Sequence, residues 1–317
     1  MIKLFSEQEE ILPKTYCRGS FNKPVKVVGK EGKQTKVNLM TTQAEGTVQT
    51  NLSCILILHD LSKEEELEQM KLDFVSMASH ELKTPLTNII GYLSVFIEEN
   101  RPKLTKEQAE LLDRSLVSAR QLQALVENLL SVNKIEREQM AVSVEQVDLN
   151  AVLDKAVEDL QNQAKLKNII LNYTKDATLP KVMADPLRLA EVINNLVANA
   201  ISYTGAGGRV SVYSNSAPNE IVTTVEDTGV GIPAEAIPHL FNKFFRVSNT
   251  LQKGSKGTGL GLYISKSIIQ KLNGRIWVES EPGKGSKFHF SLPIVQEATL
   301  NSNRFVSEAI QTGALNY

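Results

Sequence analysis

Asn195 and Asn199 stand four residues apart in the segment NNLVANAISYT, so a helix would project both amides from one face, with Glu191 one turn earlier. A row of oxygen ligands of this kind suits Mg2+, which keeps most of its waters and takes few protein groups. A second stretch, Asp227-Thr228-Gly229-Val230-Gly231-Ile232-Pro233, follows a strand-like run. Its glycines permit a tight turn close to a ligand, and Asp227 offers an acceptor for an exocyclic amine such as that of adenine. A third, Gly257-Thr258-Gly259-Leu260-Gly261-Leu262, leads into a helical pattern. Free N–H groups at a helix N-terminus favour phosphate. No strand precedes this stretch, so the dinucleotide fingerprint of nicotinamide enzymes fits poorly. Between the last two lies Phe241–Lys256, with Phe244, Phe245, Arg246 and Lys253. Its polar, glycine-bearing end reads as a lid over a site.

One further residue is a candidate nucleophile. His80 lies in the segment FVSMASHELKTPLT, Phe74–Thr87, on a helical pattern. A neutral imidazole is a good nucleophile near pH 7. Glu81 beside it is turned by about 100° around the axis, yet can reach an imidazole edge. Pro85 removes the hydrogen bond to the Glu81 carbonyl and is expected to bend the helix one turn past His80.

The elements that must position these groups follow from patterning. Residues 1–60 read as strands: Val25–Val28, Lys36–Met40 and Thr47–Leu58 are rich in β-branched residues, and Gly29–Gly32 supplies a turn. Ser62 with Glu65 makes a capping-box pattern, and apolar residues at helical spacing run from Leu67 to Phe96. The pattern breaks at Asn100-Arg101-Pro102 and restarts at Thr105, where Gln108 completes a second box. It then runs to about Lys134. Two such helices make an antiparallel hairpin whose apolar stripe a second copy would cover, giving a dimeric four-helix bundle. From 142 onward, strands are expected near 142–147, 168–173, 209–214, 220–226, 275–280 and 286–292. Helices are expected over 149–166, 186–203 and 260–272, forming an α+β domain with its helices on one face of a sheet. Asp185-Pro186 is a clean helix start.

Each constellation is weak alone; their joint occurrence in one order is not. Residues 62–293 resemble the sensor histidine kinases of bacterial two-component systems. SHELKTPLT resembles the phosphoacceptor box, which implies His80 as the acceptor and Glu81 as the acid that activates it. Glu81 with Thr84 matches the pattern implicated in dephosphorylating the partner regulator. The carboxy-terminal part resembles the ATP-binding fold shared with gyrase, Hsp90 and MutL. That likeness implies Asn195 and Asn199 for Mg2+ and phosphates, and Asp227, Gly229 and Gly231 for adenine, with Tyr203 lining that region. It implies Gly257, Thr258, Gly259, Leu260 and Gly261 against the phosphates, Ser286 near the base, and Arg246 as the basic residue after the phenylalanine box. Many members carry a lysine where this chain has Ser202; Lys243, Arg246 or Lys253 could substitute.

The fold expected is multidomain α+β. It comprises a partial PAS-like, β-rich sensor segment (1–60), a helical-hairpin dimerisation and phosphotransfer domain (61–138), an α/β-sandwich ATP-binding domain (142–293) and a tail (294–317). The activity implied is ATP-dependent autophosphorylation on His80, transfer to an aspartate of a separate response regulator, and regulator phosphatase activity, with ATP and Mg2+ required. Two rivals share parts of the pattern: a clamp-type ATPase of the same superfamily, which would not need the His80 hairpin, and a non-catalytic dimeric scaffold.

Composition bounds the partners. A net charge of −1 gives no general argument for nucleic acid or an anionic membrane. Cys17 and Cys54 form no CxxC pair, and the four histidines, at 59, 80, 239 and 289, show no metal spacing. No apolar run approaches the ~20 residues that span a bilayer. A cytoplasmic homodimer is therefore expected, attached to a membrane only through a missing upstream region.

Overall fold

The computed structural model describes residues 3–6, 9–10, 21–28, 34–44, 53–247 and 258–294. The chain divides into two compact units, Met1–Glu81 and Leu82–Tyr317.

The first unit opens with five antiparallel strands, β1 (Lys3–Ser6), β2 (Glu9–Glu10), β3 (Phe21–Val28), β4 (Gln34–Ala44) and β5 (Ser53–Asp60), in the order β2-β1-β3-β4-β5. Its buried core consists of Val25, Val37 and Leu39, with Val27 packed on it. Val25 and Val37 sit opposite each other in the β3–β4 register, which places both on one face. The expected strand Thr47–Leu58 is described only from Ser53, and it runs on to Asp60. The Gly29–Gly32 turn lies outside the described residues.

Helix α1 (Ser62–Asn100) follows, and the division between the units falls within it, after Glu81. The Asp60 carboxylate accepts the Ser62 N–H at 2.9 Å at the start of this helix. The Glu65 side chain of the expected box lies outside the described residues. α1 continues as helix through Pro85. Thr87, two residues past the proline, donates its hydroxyl to the Lys83 carbonyl at 2.9 Å. A 3₁₀ turn over Arg101–Lys103 carries the chain into α2 (Lys106–Glu136). Thr105 and Gln108 form the full reciprocal capping box there. Arg101 forks onto both oxygens of Asp113, at 3.1 Å each, and so ties the connection to α2.

The hairpin leaves large apolar side chains open to water. Within the second unit these include Leu82, Ile89, Tyr92 and Phe96 on α1, and Leu111, Val117, Leu122 and Leu125 on α2. So many large apolar side chains left in water mark an interaction face.

The rest of the second unit is an α/β layer pair. Helices α3 (Leu149–Leu166), α4 (Pro186–Tyr203) and α5 (Gly261–Lys271) pack on a sheet of β7 (Ile170–Thr174), β9 (Arg209–Ser216), β10 (Glu220–Asp227), β11 (Arg275–Glu281) and β12 (Gly285–Pro293). The strand order is β11-β12-β10-β9-β7; all neighbours are antiparallel except β7 and β9, which run parallel. Alternate residues point at the helices: Val210 and Val212, Ile221 and Val225, Phe288, Phe290 and Leu292. They meet Leu189, Val192, Ile193, Leu196 and Val197 from α4, whose apolar residues recur at helical spacing.

A two-stranded sheet closes one end, pairing β6 (Glu145–Val147) with β8 (Val182–Ala184). The strand expected at 142–147 begins only at Glu145. Upstream, the Ser143 N–H is committed to the Asp185 carboxylate at 2.9 Å and so lies outside any ladder. Strand β8 was not anticipated; three residues are too few for a period to show.

One buried titratable group sits on the sheet's other face. The His289 Nδ1 bonds the Thr224 hydroxyl at 2.9 Å, and its ring stacks on Trp277 with centroids 5.1 Å apart. Burial pushes the imidazole below its ordinary value; Lys287 adds to this, and Glu279 and Glu226 oppose it. The unfolded chain therefore binds the proton more readily, and stability falls as pH drops through and below the ordinary histidine value of about 6.5. The denaturant midpoint of the wild type should fall further between pH 7.5 and 5.5 than that of His289→Gln; equal falls in the two proteins would contradict this.

Candidate active site

Asp185 starts α4. Its carboxylate accepts the N–H groups of Leu187 and Arg188 at 3.0 and 3.1 Å, and Pro186 occupies the first helical position. Burial raises the Asp185 carboxyl, but the Ser143, Arg188 and Leu187 backbone bonds outweigh it and hold the group below the usual carboxylate range. The helix so anchored carries the asparagine row. Asn195 donates to the Ser265 hydroxyl of α5 at 2.9 Å, and Asn199 donates to the Asn195 oxygen at 3.4 Å. Glu191, one turn back, is engaged by Arg188 at 2.8 Å.

Gly261, the first residue of α5, lies directly against the Asn195 amide; a Cβ there would overlap the Asn195 oxygen. Glycine there lets the N-terminus of α5 sit against the Asn195 amide without displacing it. Ahead of it, the Thr258 hydroxyl accepts the Leu260 N–H at 3.1 Å, and Leu260 is buried as the N-cap residue. Gly259 packs on the backbone of Phe244 and Phe245. Gly257 and Lys253 lie outside the described residues, as does most of the expected lid.

Asp227 ends β10 and is buried. One of its oxygens accepts the Gly229 N–H at 2.7 Å. Burial pushes the carboxyl above its ordinary value, and the Gly229 and Ser286 backbone bonds only partly offset this. A Cβ on Gly229 would meet the Tyr203 carbonyl oxygen at 2.5 Å and the Asp227 carboxylate at 2.7 Å. The turn therefore presses against the last residue of α4, and the Val230 N–H donates to the Tyr203 carbonyl at 3.3 Å. Gly231 has φ of 68° and abuts the Glu281 backbone. Ser286 sits opposite Asp227 in the β10–β12 register and receives the Ser280 hydroxyl at 3.0 Å.

These groups share one domain: a buried carboxylate beside a glycine turn, an amide row, and a helix N-terminus held against that row. Asp227 accepts from backbone N–H groups, so its environment fits an amine donor, and the amide oxygens fit a hard cation. Among the described residues, no cluster of three or more His, Cys, Asp or Glu side chains could hold a metal. A cation here would rest on amides and phosphates.

Of the cations that could replace the lysine missing at Ser202, Lys253 lies outside the described residues. Lys243 bonds the Glu136 carboxylate at 2.5 Å, at the end of α2. Arg246 is exposed. A further cation, not anticipated, meets Ser202 directly: Lys167 donates to the carbonyls of Ile201 and Ser202 at 3.3 Å each, which suits the negative end of α4. On α1, His80, Glu81 and Thr84 are all exposed. Thr84, four residues after His80, shares its helix face.

Comparison with known proteins matches both parts. Residues 70–138 match the His Kinase A (phospho-acceptor) domain. Residues 184–296 match the histidine kinase-, DNA gyrase B- and HSP90-like ATPase family. Over 265 residues, 83% of the chain, the sequence is 31% identical to sensor protein kinase WalK of Staphylococcus aureus, covering 63% of that protein. For WalK of strain JH9 the same match covers 43%. The chain thus spans less than two thirds of the curated relatives it matches. Among solved structures, full-length ShkA in complex with AMPPNP superposes with a TM-score of 0.59 at 27% identity, over 71% of this chain and 46% of that one.

Proposed function

Because the chain belongs to the sensor histidine kinases, joining a phospho-acceptor hairpin to an ATPase domain, we propose that it uses ATP to phosphorylate its own His80. It then passes the phosphoryl group to an aspartate of a separate response regulator. The observation that carries this reading is the buried Asp227 beside the Gly229 turn, in one domain with Asn195, Asn199 and Gly261.

Asp227 accepts the exocyclic N–H of adenine, and the Gly229 turn, pressed against Tyr203, holds that carboxylate in place. The N-terminus of α5 faces its N–H groups toward the phosphates. Asn195 and Asn199 would hold Mg2+ with their amide oxygens, and the ion would offset phosphate charge. An imidazole nitrogen of His80 attacks the γ-phosphorus; a nitrogen–phosphorus bond forms as the bond to the ADP oxygen breaks. Glu81 holds the other ring N–H and stabilises the cationic ring that develops. Glu81→Gln should slow self-labelling from γ-labelled ATP by about a hundredfold, within the usual range for a general base, with ATP affinity unaltered. A rate within threefold of wild type would remove Glu81 from the mechanism.

The exposed hairpin stripe supports a homodimer in which a second copy completes a four-helix bundle. Thr84, on the same face as His80, supports a second activity, dephosphorylation of the regulator. The amino-terminal sheet is proposed as a PAS-like input segment. Among the described residues no helix is long and apolar enough to cross a membrane. Membrane attachment through a longer chain is part of the proposal.

A further inference from the structure

The last turn of α2 reaches across to the ATPase domain through one carboxylate. Glu136 accepts the Lys243 ammonium and the Tyr263 phenol, at 2.5 Å each. The Lys243 ammonium also lies 5.6 Å from the centre of the Tyr263 ring. Burial raises the Glu136 carboxyl, but its bonds to Lys243 and Tyr263 prevail and hold it below the usual range. The Tyr263 phenol is pushed up to about 12 by burial and by Glu136, so it remains a donor. The three groups form a clasp, with the Glu136 carboxylate taking both donors.

Its place in the fold gives it consequence. Tyr263 is two residues along α5 from Gly261, which lies against Asn195. The clasp therefore grips the first turn of the helix whose N-terminus faces the phosphates. Lys243 borders an open cleft of about 710 Å3, lined also by Ile135, Phe241 and Lys266. Its four-carbon stem has room to swing. A triphosphate brings several negative charges beside a helix start that already has Glu136 bound two residues along. Glu136 and the phosphates then compete for the same ammonium.

We propose that Lys243 exchanges between Glu136 and the nucleotide phosphates, so that ATP entry opens the clasp between the hairpin's last turn and the ATPase domain. This rests on the ATP-binding reading above and adds a regulated coupling to it. Glu136 is a positioning residue: it acts on nucleotide through Lys243. By reciprocity, a closed clasp disfavours ATP by the factor with which ATP opens it.

The test is ATP affinity, with Mg2+ present, measured on the full chain by displacement of a fluorescent ATP analogue. Glu136→Gln should bind ATP about two- to fivefold more tightly, the scale of a partly exposed ion pair. Tyr263→Phe, which leaves the Glu136 carboxylate to Lys243 alone, should not tighten ATP. Lys243→Met should bind more weakly, and adding Glu136→Gln to it should change nothing further. Unchanged affinity in Glu136→Gln overturns the exchange, as does an equal gain with and without Lys243. Absence of ATP binding by the wild type would instead contradict the kinase reading itself.

Discussion

His80→Gln should lose self-labelling from γ-labelled ATP by more than about a thousandfold while binding ATP as the wild type does. The side chain removed is the nucleophile, and glutamine keeps a polar group of similar reach without a nitrogen lone pair that can attack phosphorus. His80 is exposed on α1, so its replacement leaves no buried group unpaired. The fold should therefore persist, and a thermal midpoint within about 2 °C of wild type checks it. Parallel ATP titration separates a lost nucleophile from a lost site.

Asp227→Asn should weaken ATP by about ten- to a hundredfold, the range for losing a hydrogen bond to a buried charged group. Its sharper consequence is in selectivity. Inosine triphosphate presents a carbonyl where ATP presents an amine, so the wild type should reject it by a comparable factor. Asparagine can donate to that carbonyl, so Asp227→Asn should erase the preference. Equal binding of both nucleotides by the wild type would remove Asp227 from base recognition. The raised Asp227 carboxyl adds a stability term: its folded value lies above its unfolded one, so the contribution is present below the ordinary carboxylate value and lost as pH rises through the folded value. Asp227→Asn should accordingly be more stable than wild type at pH 7 in the absence of nucleotide, which chemical denaturation measures.

How far the sequence carries depends on how local each cause is. The Thr105–Gln108 box, the Asp185-Pro186 start of α4 and the apolar spacing of α4 are written within a few residues, and the structure has them where the pattern put them. Strand β8 escapes because three residues carry no period. The partners that shape the site are out of local reach altogether. Asn195 meets Ser265 seventy residues on, and Glu136 meets Lys243 at a separation of 107. Glycine spacing at 257, 259 and 261 suggested a phosphate loop, but that Gly261 makes room for Asn195 becomes visible only when α4 and α5 pack. His289 was read only for metal spacing; its burial against Trp277 is a property of paired strands.

The most direct test of the central claim is the chemistry of the bond formed. The chain should be incubated with γ-labelled ATP and Mg2+, and the labelled protein divided between acid and alkali. A phosphoimidazole loses its label in acid and keeps it in alkali, and the labelled peptide should contain His80. Label that survives acid, or that maps to a peptide without His80, would contradict the account.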